Sequence, residues 1–280
     1  MEARLFGSTG ARVPVIGLGT WQMENDDRKS AVAALRAGLD LGMTHVDTAE
    51  LYGSGRVEEL VGEAIEGRRD ELFLVSKIMP DHATRRGTIT SCEKTLKRLR
   101  TDRLDCYLIH WPGPHPLEDS IAGFEELRQN GKIRSWGVSN FDERLLERVL
   151  EIAGPGKLAC NQVLYHLQER SIEHAVLPWC EKHAVAVVGY TPFGRATFPP
   201  RNQAGKTLER IASKHGATPR QVALAFLTRQ TSLFAIPKSS DPEHVRENAR
   251  GGAVSLDQHD IGAIESEFAA GGRRKGVPML

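Results

Sequence analysis

The chain has no apolar run approaching the roughly 20 residues that a membrane-spanning helix needs, and no long apolar segment of the export-signal kind near its start. It has no surplus of one charge: 37 Lys and Arg stand against 36 Asp and Glu, which gives no electrostatic reason to expect a nucleic-acid or membrane partner. Cysteine is scarce. Cys92, Cys106, Cys160 and Cys180 form no C-x-x-C pair, and no histidine stands at zinc-site spacing, so reduced buried thiols, no metal and a cytoplasmic location are expected. The chain also lacks H-E-x-x-H, a Walker glycine–lysine loop and a complete G-x-S-x-G; Gly137-Val138-Ser139-Asn140-Phe141 comes near but has no second glycine. These absences speak against a hydrolase. The short basic run Arg273-Arg274-Lys275 reads as a solvated tail.

What is present is ordinary globular material: 280 residues, 40% hydrophobic and 26% charged. A folded chain of that size hides roughly three quarters of the surface its unfolded form exposes. No linker interrupts it, so residues 1–280 are expected to form one domain. From about residue 15 onward two kinds of segment alternate. Apolar or β-branched runs at 15–19, 45–49, 72–78, 104–111, 133–140, 158–164, 185–190 and 233–238 read as strands. Between them the apolar period changes to that of a helix: Val57, Leu60, Val61, Ala64 and Ile65 share one helical face, as do Ile89, Cys92, Leu96 and Leu99, then Leu117, Ile121, Phe124 and Leu127, then Ile172, Ala175, Val176, Trp179 and Cys180. Residues 219–229 read as a further helix. Asn130-Gly131 and Gly154-Pro155-Gly156 mark breaks.

Eight strands alternating with helices predict a parallel sheet with helices outside. Closure into a (β/α)8 barrel, the TIM-barrel fold, is favoured by the polar residues. Asp47, Lys77, His110, Asn140, Tyr190 and Lys238 each fall at or just past the C-terminal end of a different predicted strand. In a closed barrel those ends converge on one mouth, whereas in an open sheet they lie spread along an edge. The first 14 residues stand outside the repeat; runs at 4–6 and 11–13 around Gly7-Ser8-Thr9-Gly10 predict a β-hairpin capping the barrel's bottom. The stretch 193–207, with two prolines and two glycines, reads as the longest irregular connection.

Reduction of a carbonyl by hydride needs a proton and hydrogen-bond donors at the oxygen as it gains charge. A tyrosine can supply the proton if a nearby ammonium favours its phenolate, a carboxylate can keep that ammonium charged away from water, and a histidine can orient the carbonyl. Asp47, Tyr52, Lys77 and His110 form such a set, each at the end of a strand or in the turn after it.

The chain resembles the aldo-keto reductase family over essentially its whole length. The resemblance is carried by Val15-Ile16-Gly17-Leu18-Gly19-Thr20-Trp21, His45-Val46-Asp47-Thr48-Ala49 with Tyr52-Gly53, Leu108-Ile109-His110-Trp111-Pro112, Gly137-Val138-Ser139-Asn140-Phe141 and Ile236-Pro237-Lys238-Ser239. It implies that Tyr52 is the general acid, tuned by Lys77 and Asp47, that His110 positions the carbonyl, and that NADPH is the cofactor. Histidine at 110 implies C=O reduction, since the branch that reduces C=C bonds carries glutamate there. The resemblance further implies cofactor contacts from Thr20, Trp21, Ile236, Ser240 and His244; from Ser139, Asn140 and Gln162 to the carboxamide; from Tyr190 stacked on the nicotinamide; from Thr191, Pro192, Phe193, Gly194 and Arg195 along the pyrophosphate; from Lys238 and Ser239 to the 2′-phosphate; and from Glu247 and Asn248 to adenine. No Rossmann motif is needed, and the one G-x-G, Gly17-Leu18-Gly19, has Gln22 where a third glycine belongs.

His244 departs from the family pattern, which often has arginine there. A neutral imidazole lacks the charged planar fork, so a weaker NADPH preference with some NADH use is expected. Trp21 and Trp111 are the expected substrate contacts. The brief connection Pro112-Gly113-Pro114-His115-Pro116 and the short tail 271–280 suggest an open pocket and broad aldehyde and ketone use. The expected partner is therefore a small carbonyl compound, for a monomer. A cofactor-sensing module without turnover is the alternative.

Overall fold

The computed structural model describes residues 1–280. A hairpin comes first, β1 (Ala3–Leu5) and β2 (Arg12–Pro14), paired antiparallel. Eight parallel strands follow in sequential order: β3 (Leu18–Gly19), β4 (His45–Asp47), β5 (Phe73–Ile78), β6 (Leu104–Ile109), β7 (Ile133–Ser139), β8 (Leu158–Leu164), β9 (Ala186–Tyr190) and β10 (Leu233–Ile236). Bridges Ile16↔Ala235 and Gly19↔Lys238 join the first strand to the last, so the sheet closes on itself. Helices α1 (Arg28–Asp40), α2 (Arg56–Ala64), α3 (Arg85–Leu99), α4 (Leu117–Gln129), α5 (Glu143–Ala153), α6 (Val176–Lys182), α7 (Gln203–Lys214), α8 (Pro219–Leu227), α9 (Pro242–Gly251) and α10 (Gln258–Glu267) surround it. This is the (β/α)8 barrel.

The helical faces read from the sequence are buried against the strands: Val57, Leu60, Val61, Ala64 and Ile65 on α2 and its end, Cys92, Leu96 and Leu99 on α3, Ile121, Phe124 and Leu127 on α4. A second, smaller core fills the barrel itself. There the inward positions repeat every two residues, as strand geometry requires: Phe73 and Val75 on β5, Cys106 and Leu108 on β6, Val188 on β9, Phe234 and Ile236 on β10. One more step of two along these strands reaches Lys77, His110, Tyr190 and Lys238. The rows that fill the barrel end in its polar mouth.

The hairpin closes the other end. Phe6, wholly buried, lies against the rings of His45, Phe73 and Phe234 with centroids 4.6–5.7 Å away. Gly7 has φ +55°, and a Cβ there would sit 2.3 Å from the Ala159 carbonyl, so only glycine lets the turn approach so closely.

Several boundaries differ from the sequence reading. The last strand leaves the regular ladder at Ile236 because Pro237 has no N–H to donate. The helix expected through 172–180 is broken: Ser171–His174 forms a 3₁₀ turn, Ala175 leaves helical geometry (φ −145°), and α6 begins at Val176. Pro178 accounts for this, since its ring would strike the carbonyl four residues back in a continuous helix. The irregular connection ends earlier than expected, because Asn202 caps α7 by accepting a hydrogen bond from Gly205 N–H. All four cysteines are buried and unpaired.

Candidate active site

Asp47 ends β4, Lys77 lies on β5, and both point into the barrel beneath its mouth. The Lys77 ammonium is fully buried, and Asp47 Oδ1 lies 2.5 Å from it. Lys77 Nζ also donates to the Thr48 carbonyl at 2.9 Å and to the Tyr52 hydroxyl at 3.3 Å. Those three acceptors use all three ammonium protons. The other carboxylate oxygen of Asp47 accepts from Gln162 Nε2 on β8 at 2.7 Å. Since that carboxylate can only accept, the Gln162 amide orientation follows from chemistry, leaving its Oε1 for another partner.

Tyr52 reaches Lys77 through an unusual turn. Gly53 (φ +56°) and Ser54 (φ +54°) are both left-handed, and a Cβ on Gly53 would press on the Glu24 side chain at 2.8 Å. The turn thus folds the tyrosine back over the strand ends. His110 stands immediately past β6, its ring edge-on to Tyr52 with centroids 5.6 Å apart and tilted against Trp111 at 4.9 Å.

Burial dominates the electrostatics. It presses His110 down to about 2, with the Lys77 charge adding to the effect, so the ring is a neutral donor–acceptor. For Lys77 burial opposes charge, but Asp47 and Tyr52 outweigh it and hold the ammonium above its ordinary pKa. Burial lifts Asp47 against the pull of Lys77 and Gln162. Tyr52 differs from the sequence expectation: burial raises its pKa, Lys77 opposes that rise as expected, and the charges of Asp47 and Glu24 add to it, so the hydroxyl at rest keeps its proton more firmly than free tyrosine.

Above this group opens a cavity of about 590 Å³. Asp47, Tyr52 and His110 line its floor, and Lys77 lies beneath. The cavity also takes in Thr20, Trp21, Trp111, Ser139, Asn140, Gln162, Tyr190, Thr191, Pro192, Phe193, Gly194, Arg195, Ile236 and Lys238. Asn140 is already engaged, with Nδ2 donating to the His110 carbonyl at 3.1 Å and Oδ1 accepting from the Tyr190 hydroxyl at 2.9 Å. Ser239, Ser240, His244, Glu247 and Asn248 lie outside the cavity, on and before α9. His244 is exposed, 3.8 Å from Asp241, and Glu247 accepts from Thr218 at 2.6 Å. Asn248 is buried, with its Oδ1 unpartnered.

Gln22, Leu51, Met279 and Leu280 also line the cavity and were not expected there. Leu51 carried a usable signal as the apolar residue directly beside Tyr52 in the turn after the strand. The last two residues correct the picture of a tail too short to shape the pocket: the tail folds back over the mouth. Its basic run is not merely solvated either, since Arg273 pairs with Glu143 and Arg274 with Glu169.

A barrel with a lysine-linked tyrosine and a neutral histidine at its mouth defines a class of oxidoreductase, and comparison with known proteins gives the same answer. The model of the aldo/keto reductase family matches residues 15–267. The chain is 40% identical to methylglyoxal reductase YeaE of Escherichia coli, with all of both chains covered, and 32% identical to methylglyoxal reductase DkgB of Salmonella typhimurium over 90% of this chain and 92% of that one. It superposes on the crystal structure of an aldo/keto reductase from Klebsiella pneumoniae in complex with NADP and acetate, with a TM-score of 0.93, 40% identity and full coverage of both chains. The chain belongs to the aldo/keto reductase family and is an oxidoreductase.

Proposed function

We propose that the chain reduces aldehydes and ketones to alcohols with NADPH, with Tyr52 as general acid. The observation that carries this reading is the continuous set of contacts Gln162–Asp47–Lys77–Tyr52 under a cavity that His110 shares. The residues suit the cofactor. Gln162 Oε1, the Ser139 hydroxyl and the second lone pair of Asn140 Oδ1 are the groups that suit a carboxamide beside the flat Tyr190 ring. Gly194, at φ +68°, lets backbone approach a pyrophosphate. Lys238 offers a cation to a 2′-phosphate, and the buried, unpartnered Asn248 Oδ1 is an acceptor for an adenine amine.

NADPH, when bound, supplies the hydride. The protein does the rest. Tyr52 O–H and the neutral His110 ring donate to the substrate oxygen and fix its direction. As that oxygen becomes basic, Tyr52 releases its proton to it, and Lys77 stabilises the phenolate left behind. Asp47 keeps Lys77 charged throughout. The raised resting pKa of Tyr52 suits this order, because the proton stays on the phenol until charge develops next to it.

Trp21, Trp111, Leu51, Met279 and Leu280 give the mouth an apolar wall suited to small carbonyl compounds. Two relatives are named methylglyoxal reductases, and we infer that 2-oxoaldehydes of that size are among the substrates. The same reading takes residues 1–280 as one domain of a monomeric cytoplasmic enzyme. The test follows loss of NADPH absorbance with methylglyoxal, aromatic aldehydes and simple ketones. Turnover is expected with small aldehydes; NADPH binding without turnover across the panel would overturn the reading in favour of a sensor.

A further inference from the structure

The connection between β3 and α1 that carries Thr20 and Trp21 also carries Asp26, just after a 3₁₀ turn at Met23–Asn25. Asp26 reaches across the line where the first and last strands meet. Its Oδ2 is shared by the Lys238 ammonium and by Ser240 Oγ, the latter at 2.6 Å. Burial opposes the charge of Asp26, but hydrogen bonds from Lys238 and Ser240 outweigh it and keep the residue ionised. A carboxylate of the protein thus occupies the cation that, on the reading above, meets the 2′-phosphate of NADPH, together with the hydroxyl of nearby Ser240.

We propose that Asp26 is an internal competitor for that phosphate and thereby sets how strongly NADPH is favoured over NADH. This inference rests on Lys238 being the 2′-phosphate contact. The charges make the case. Without the phosphate, Lys238 and Asp26 form a neutral pair that NADH leaves undisturbed. With it, one ammonium must serve a carboxylate and a phosphate carrying nearly two negative charges, or Asp26 must swing away and lose both partners. Lys238 and Asp26 are each about one-third exposed, at 31% and 32% of their side chains. Solvent therefore softens the penalty without removing it. His244, exposed and lacking a guanidinium fork, cannot grip a phosphate in the bidentate way an arginine would.

The experiment measures binding by calorimetry at low and at physiological salt. The probes are NADPH, NADH, adenosine 2′,5′-bisphosphate and adenosine 5′-monophosphate, and the proteins are wild type, Asp26→Asn and Lys238→Met. Asp26→Asn is expected to tighten NADPH and the bisphosphate by about tenfold, a gain that shrinks with salt, and to leave NADH and the monophosphate within about twofold. Equal weakening of both coenzymes would show that Asp26 clasps the bound molecule instead, and an unchanged ratio would show that it does not discriminate; either overturns the proposal. Lys238→Met should erase the difference between the coenzymes. If it does while Asp26→Asn leaves the ratio unchanged, the Asp26 inference alone fails. If Lys238→Met leaves the ratio intact, the phosphate does not sit at Lys238 and both readings fail.

Discussion

An ammonium taken out of water costs several kcal/mol unless counter-charge and acceptors replace its hydration. Lys77 has Asp47, the Thr48 carbonyl and the Tyr52 hydroxyl in that role. Replacing it with methionine removes the counter-charge and leaves Asp47 buried with only Gln162. Lys77→Met is therefore expected to lower stability by roughly 3–5 kcal/mol, read as a drop in urea midpoint, and to cost activity as well. Tyr52→Phe separates the two effects, since it removes one hydroxyl and keeps the ring. It should lower kcat by about 10²–10⁴-fold while the Kd for NADPH, measured by titration, stays near wild type; near-normal kcat would remove Tyr52 from the mechanism. At this scale the sequence was most legible for the placement of Asp47, Tyr52, Lys77 and His110, because each stands at the end of a short apolar run or in the turn after it. Two things escaped it. The Gln162–Asp47 bond depends on a rotamer choice across three strands, and the direction of the Tyr52 shift depends on how much water burial removes. Neither is written in residue types.

Short elements here are held by single buried side chains. The hairpin contributes Phe6 to the barrel floor, so Phe6→Ala should cost about 3–5 kcal/mol, seen in chemical denaturation, with the distant mouth still able to bind NADPH. Beside α6, Glu173 accepts from Tyr165 at 2.5 Å and pairs with Arg170 at 2.7 Å and Arg229 at 3.0 Å. Burial pushes its pKa up, but the hydrogen bonds and the two guanidinium charges bring it down to about 2 from an ordinary value of 4.5. A carboxyl whose folded pKa is depressed lends stability above its unfolded pKa and withdraws it as pH falls through the folded one. Thermal stability is therefore expected to decline from about pH 4.5 toward about pH 2, and Glu173→Gln should flatten that decline while lowering Tm near neutrality. The break at Ala175 was hidden in the sequence because Ile172, Val176, Trp179 and Cys180 keep helical spacing on both sides of it; only Pro178 marked the interruption.

Across the whole molecule, the eight barrel strands and the general alternation with helices were readable, since eight repeats average out errors at any one boundary, whereas α1, α5, α7, α9 and α10 were not located individually. The tail was not, because apolar periodicity says nothing about where a terminal segment without helix or strand comes to rest. Removing Met279 and Leu280 strips part of the apolar wall, and the KM for small aldehydes is expected to rise several-fold with kcat little changed, measured by steady-state kinetics. Closure of the barrel has a further consequence. Its seam is held by scattered contacts, Gly17 N–H to the Ala235 carbonyl at 2.8 Å and Gly19 N–H to the Pro237 carbonyl at 3.0 Å, beside a first strand only two residues long. Those amide hydrogens should trade for deuterium sooner than those in the middle of β5 or β6. A dinucleotide resting on both lips, Trp21 on one side and Lys238 on the other, would slow that trade, so the seam would report occupancy of the mouth before any substrate is added.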